Sequence, residues 1–239
     1  MARIGTSGWV YPHWRGVLYH GDQRGWLDQY AAEFDVVELN GSFYRWPADA
    51  RFAAWRDRLP EGFEMAVKAP RGLTHARRLL EPEVWIDRVT RGMHELDGRR
   101  GPLLVQLHPA MERDDARLDH FLSALPAWIR PAIEFRHPSW VDENVFGMLE
   151  RHGAAYCVMS GARLPCVLRA TAHLVYVRLH GPDHRHLYRG SYSDADLAWW
   201  AERIREWEGS GHEVHAYFNN DGEGHAVHNA RTLRRLLSA

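Results

Sequence analysis

The stretch IEFRHPSW, Ile133–Trp140, decides the fold. Apolar Ile133 and Phe135 alternate with charged Glu134 and Arg136 before Pro138 stops the run. It therefore reads as a short strand that displays charge on one face near its C-terminal end. Five other runs end in the same way: VVELN (36–40), FEMAVKAP (63–70), LLVQLHP (103–109), LVYVRLHG (174–181) and EVHAYFNND (213–221). In each, the apolar side chains share one parity, and Glu38, Lys68, Gln106, Arg178, His180 or Asn219 falls on the other. Six polar strand ends of matching parity imply strands that converge on one polar floor.

RIGTS near residue 4 and AAYCVMS (154–160) bring the strand number to eight. Helical stripes separate the strands: Trp26, Leu27, Tyr30 and Phe34; Trp85, Val89, Met93 and Leu96; Leu118, Phe121, Leu122 and Leu125. Val145, Met148 and Leu149 follow, then Leu197, Trp200 and Ile204, then Val227, Ala230, Leu233 and Leu237. Ser193 and Asp196 have the spacing of a capping box and mark a helix start. Alternating strands and helices dictate a parallel sheet with right-handed crossovers, and eight strands close it. The expected fold is α/β, a single (β/α)8 TIM-type barrel over residues 1–239. Between Gly161 and His173 the chain carries Pro165 and no clean stripe, so the sixth helix is expected to be short or irregular.

Bulk properties agree with a barrel and exclude several function classes. A chain of 239 residues, 45% hydrophobic, buries a full core at about the size of such a barrel. The formal net charge of -1 gives no global field to recruit nucleic acid or an anionic membrane. Two cysteines, Cys157 and Cys166, make no disulfide framework, and the first strand begins without a signal-peptide pattern, so a reducing cytoplasm is the expected location. No apolar run approaches the ~18 residues of a membrane span.

The chain also resembles a known family. GTSGWVYPHWRG (5–16), VVELNGSFYRWP (36–47), VKAPRGLTH (67–75), GPLLVQLHP (101–109), EFRHPSW (134–140), VYVRLHG (175–181) and YFNND (217–221) are similar, in order, to the motifs of the YecE-like family, the domain of unknown function number 72. The resemblance spans nearly the whole chain and implies a TIM-type barrel with its site at the strand ends, but no settled reaction. It departs at Ser160, where many relatives have an aspartate. That departure argues against a mechanism requiring a carboxylate there.

Barrel enzymes carry their chemistry at the C-terminal ends of the strands. Glu134 is the leading candidate for general acid or base, with Glu38 as its partner; Arg136, two residues on, favours the ionised form. Lys68, the third candidate catalytic residue, reads either as an anion clamp or as an amine nucleophile, the clamp being favoured because nearby carboxylates oppose the lowered pKa that a nucleophilic lysine needs. Gln106, Arg136, His137, Arg178, His180, Asn219 and Asn220 complete the polar floor. Trp9, Tyr11, Tyr44, Trp140, Tyr188 and Tyr192 supply flat faces around it, suited to a sugar ring or a nucleobase. The same charges have a second reading, a buried ion-pair lattice in which Glu38 and Glu134 are neutralised by Lys68, Arg136 and Arg178.

The 16 histidines include close pairs, His184 with His186, His212 with His215 and His225 with His228, but none has a third ligand nearby in sequence, and no metal is expected. There is no Walker A loop, no GxGxxG after a strand, no GxSxG elbow and no CxxC, and no cofactor is expected. The leading functional reading is an enzyme that binds a small polar, anionic, ring-bearing molecule (a sugar, a phosphorylated metabolite or a nucleotide) and performs hydrolysis or proton transfer. One alternative is a nucleic-acid or nucleotide binding module using Arg71, Arg77, Arg78, Arg99 and Arg100; another is a metal-dependent phosphoesterase. Nothing in the sequence specifies an oligomeric state.

Overall fold

Each apolar run becomes a strand: β1 Arg3–Ser7, β2 Val36–Leu39, β3 Glu64–Lys68, β4 Arg100–Gln106, β5 Pro131–Glu134, β6 Ala155–Ser160, β7 Leu174–Leu179 and β8 Glu213–Phe218. In the computed structural model, which describes residues 2–238, they pair in parallel and in chain order, and β8 returns to β1 to close the barrel. Closure leaves no unpaired sheet edge.

Eight helices accompany the strands: α1 Trp26–Glu33, α2 Gly41–Tyr44, α3 Asp49–Arg56, α4 Glu83–His94, α5 Asp115–Ala124, α6 Glu143–Arg151, α7 Asp194–Gly209 and α8 His225–Ser238. Six carry the apolar stripes read from the sequence, and α7 opens with the Ser193/Asp196 capping box. Two do not. Both α2 and α3 lie between β2 and β3; α3 fully buries only Phe52 among eight residues, too thin a stripe to stand out. No helix follows β6. The chain from 161 to 173 connects β6 to β7 in irregular conformation, and Thr171 pins it by accepting from the Tyr156 backbone N–H and donating to the Ala154 carbonyl, both at 2.7 Å. No described helix is long and apolar enough to cross a membrane.

Strand parity divides the core. One cluster lies between sheet and helices, where Trp14, Trp26, Phe34, Phe52 and Trp140 are buried. A smaller one fills the barrel with Val36, Ala66, Leu104, Ala132, Cys157, Met159, Tyr176 and Tyr217. At the N-terminal end of the barrel Arg130 pairs with Glu64 and, at 3.0 Å, with Glu213, which accepts from His215 at 2.7 Å. The polar side chains of the opposite end form the candidate site.

Two glycines test the packing in opposite directions. A Cβ on Gly5 would lie 2.3 Å from the Val36 carbonyl oxygen, which is strand backbone and cannot yield. Gly147 sits inside α6 with nothing closer to its Cβ position than Arg151 at 4.0 Å. Chemical denaturation should show Gly5→Ala losing ~1–3 kcal/mol or more, and Gly147→Ala gaining ~0.5–1 kcal/mol from helix propensity.

Candidate active site at the barrel mouth

Arg178 holds the inner layer of the site together. Its Nε donates to Glu38 Oε2 at 3.0 Å, its Nη2 to Glu38 Oε1 at 2.7 Å and its Nη1 to Glu134 Oε2 at 2.6 Å, so one guanidinium lies between two carboxylates. Glu38 also accepts from the Ser7 hydroxyl and, at 2.7 Å, from the Tyr176 hydroxyl. Glu134 also accepts from Arg136 Nε and, at 2.5 Å, from Gln106 Nε2. Arg136 continues to His180 at 3.3 Å, and Asn219 stands 3.1 Å from the other ring nitrogen. Glu38, Glu134, Arg178 and His180 have no solvent exposure.

Charge states follow from these contacts. Burial alone would raise the Glu134 pKa, but the guanidiniums of Arg136 and Arg178 hold it well below the usual carboxylate range. Burial and then Arg178 keep His180 neutral, against the opposing pull of Glu134. Lys68 differs from all of these. Among the described residues no carboxylate oxygen lies within 4.0 Å of its amine, and its Nζ stands 4.5 Å over the Phe43 ring. Burial, followed by repulsion from Arg178, pushes it down to about 8 even though Glu134 and Glu38 pull the other way. The expectation that those carboxylates would keep its pKa high is therefore corrected: their oxygens are already committed to other donors.

Above this layer opens a cleft of about 1310 Å³, bounded by the loops after β1, β2, β7 and β8. Lys68 and Asn219 lie at its base, and Trp9, Tyr11, Tyr44, Trp46, Trp55 and Tyr188 wall it. Arg45, Arg51, Arg88 and Arg91 extend it outward. Arg91 pairs with Asp87 at 3.3 Å and Asp49 at 3.6 Å, whereas Arg45, Arg51 and Arg88 have no described carboxylate within ion-pair distance. Two buried polar atoms of cleft residues, Asn40 Oδ1 and Trp46 Nε1, have no protein partner.

Several sequence candidates have other work. Trp140 is fully buried in the helical layer, stacked on Phe135 at 4.8 Å and donating to the Met111 carbonyl at 2.8 Å. The Tyr192 hydroxyl accepts from Gly181 N–H at 3.0 Å and donates to Ser160 at 3.2 Å, which fixes the loop after β7. Asn220 is buried and donates to Gly190 and Asn229, both at 2.9 Å. His137 accepts from the Ser139 backbone at the start of a short turn. These four are packing and capping residues whose side chains do not line the cleft. Glu38 and Glu134 are fully buried, do not line the cleft and have every oxygen bonded, so as an acid/base pair they lack both a free oxygen and access. Arg178 also fills the space a sugar would need between them. Ser160 lies on the outer parity of β6, with Met159 turned inward.

Sequence reasoning missed Ser7 and Tyr176, which share the inward parity of Glu38 and Arg178, and the arginines on the helices that flank the cleft. The arginine set expected to bind nucleic acid is split between the two rims: Arg71 follows the end of β3, whereas Arg100 opens β4 and Arg99 precedes it. Among the described residues the cluster with metal-ligand geometry is Glu64, Glu213 and His215, at the strand N-terminal ends, where Arg130 already pairs with both carboxylates.

A family model described as "Protein of unknown function DUF72" matches residues 3–239. The UPF0759 protein YunF of Bacillus subtilis is 26% identical over 99% of this chain and 95% of its own length. The UPF0759 protein YecE of Escherichia coli is 28% identical over 59% of this chain and 50% of its own length. The crystal structure of a DUF72 family protein from Thermotoga maritima superposes with a TM-score of 0.90 at 27% identity, covering 100% of both chains.

Replacing Glu134 by Gln leaves Arg178 and Arg136 without one anionic partner in a dry interior and should lower stability by ~3–5 kcal/mol. A carboxylate whose folded pKa lies below its unfolded value stabilises above the unfolded value, and that stabilisation is lost as pH falls through the folded value. Wild type should therefore lose stability steeply below the usual carboxylate range. Glu134→Gln should show a shallower acid limb in urea melts over the same pH series.

Proposed function

We propose that this chain, which belongs to the DUF72 family, is an enzyme whose substrate is a small anionic, ring-bearing molecule held in the mouth cleft with Lys68 at its reacting end. One observation carries this reading: a buried amine without a carboxylate partner stands at the base of a cleft walled by aromatic rings and unpaired arginines. Leaving a buried amine without a carboxylate partner is unfavourable in a purely structural role, and an anion held beside it by the exposed guanidiniums of Arg45, Arg51 and Arg88 relieves it through charge-assisted hydrogen bonds. Trp9, Trp46 and Tyr188 offer ring faces for a sugar or base.

In this reading the buried carboxylates do not exchange protons with substrate. Glu38 and Glu134 orient Arg178 and Arg136, and these fix the field in which Lys68 works. The chemistry falls to Lys68, whose amine, pushed down to about 8, can give up its proton near neutral pH. The nucleic-acid alternative is weaker because its arginines do not form one surface.

Binding is checked by thermal shift and quenching of the cleft tryptophans with a panel of sugar phosphates, nucleoside monophosphates and their neutral counterparts. At a ligand concentration of about 100 times Kd the folded state should gain ~2.7 kcal/mol. Arg51→Gln and Arg88→Gln should each weaken binding by roughly tenfold, the loss of one charge-assisted contact. Neutral counterparts that bind as tightly as the anions, or a panel with no binder, would overturn the proposal.

A further inference from the structure

Of the chain's 30 lysine and arginine residues, Lys68 is the only lysine. Every other basic position is met by a guanidinium, including the buried Arg178, the strand-end Arg136 and the surface pairs along the helices. The chain thus satisfies its general need for positive charge with arginine. What distinguishes an amine from a guanidinium is that it can lose its proton near neutrality and then act as a nucleophile.

The surroundings of Lys68 favour that use. Its neighbours Arg178 and Arg136 repel a second positive charge, and the carboxylates that would stabilise one are bonded to those same guanidiniums. The Phe43 ring lies against the amine, and the small helix α2 that carries Phe43 is tied to β3 by the Ser42 hydroxyl, which donates to the Lys68 carbonyl at 2.6 Å. The amine is thereby held at the base of the cleft, on a residue only 7% exposed.

Resting on the reading of the cleft as the ligand site, we propose that Lys68 forms an imine with an aldehyde or ketone whose anionic group is held by the arginines of the same cleft. The neutral amine adds to the carbonyl carbon, forming the C–N bond while the carbonyl oxygen takes up a proton. Loss of the hydroxyl as water, with both hydrogens of the amine accounted for in that water, leaves the imine. Uptake of one solvent proton then gives the iminium. Nothing is oxidised or reduced, and no co-reactant is required. The iminium withdraws electrons from the adjacent carbon, so the chemistry that follows is proton removal or carbon–carbon cleavage beside the former carbonyl. The substrate class is a phosphorylated or carboxylated carbonyl compound.

The lysine count makes the test clean, because the chain offers two amines, Lys68 and the α-amine. Pyridoxal 5′-phosphate and ribose 5-phosphate, each beside its unphosphorylated counterpart, are incubated with the protein, reduced with borohydride and mapped by peptide mass spectrometry. The expected adduct is a secondary amine on the peptide containing Lys68, heavier by the mass of the carbonyl compound less one oxygen. It should form on the order of tenfold faster for the phosphorylated probes, the gain from one charge-assisted contact, and its rate should rise as pH passes through about 8. Lys68→Arg should abolish this adduct while keeping the thermal stabilisation by the phosphorylated probes. Stabilisation of wild type without a Lys68 adduct, or an adduct confined to the α-amine, overturns the imine and leaves the binding reading intact. Equal rates for phosphorylated and neutral probes overturn the anionic substrate class. Absence of both stabilisation and adduct overturns the imine and the cleft reading together.

Discussion

A single guanidinium between two buried carboxylates governs the upper half of this barrel. Arg178 uses three of its nitrogens on Glu38 and Glu134, and none of the three side chains reaches solvent. Lysine could not replace it, since an ammonium is a point charge on a flexible stem and cannot span both carboxylates in a fixed plane. Desolvating such a group is costly, and only complete satisfaction makes it tolerable. The remaining lone pairs are met by Ser7, Tyr176, Gln106 and Arg136, so that the whole network, with Glu38, Glu134 and Arg178, draws on five strands and one strand end. The network therefore fixes the relative register of strands that are far apart in sequence.

That commitment of charge defines Lys68. A lysine on the same parity, beside two glutamates, would ordinarily pair with one of them and stay protonated to high pH. Here both glutamates are saturated by guanidiniums together with neutral donors, so Lys68 feels their charge at a distance and feels Arg178 and Arg136 as repulsion. The ion-pair lattice and the lowered pKa of the amine are two consequences of one arrangement.

Strand alternation made the barrel and its inward-facing set legible. Residues Glu38, Lys68, Glu134, Arg136, Arg178 and His180 do meet, in a chain of contacts with Lys68 beside it, because parity is a property of local backbone geometry. Pro165 and the missing stripe likewise announced the irregular segment after β6. Depth was not legible. Parity gives the face on which Glu134 lies but not that Arg178 and Arg136 roof it over, since that depends on side-chain length and on the diameter of the closed barrel. Loop aromatics were legible only as a set: Trp9 and Tyr188 line the cleft, whereas Trp140 turns back to Met111 and Tyr192 to Gly181. Those fold-backs are made to residues tens of positions away or across a loop, and no local pattern records them. Asp49–Arg56 was hidden because an eight-residue helix with one deeply buried side chain has almost no periodic signal.

The two readings of the charged floor are not rivals. A lattice that merely stabilised the barrel would have no reason to leave one cation outside it, and a catalytic pair of glutamates would not be bonded on every oxygen. The arrangement fits a division of labour in which the arginine–glutamate network is structural and the amine it leaves without a carboxylate partner is the group that the proposed chemistry uses. Arg136 and Asn219 lie where the two meet: Arg136 bonds Glu134 and His180 in the network, and Asn219 contacts His180 below while lining the cleft above. A change at either should alter the amine through the field it feels, before it alters the shape of the cleft.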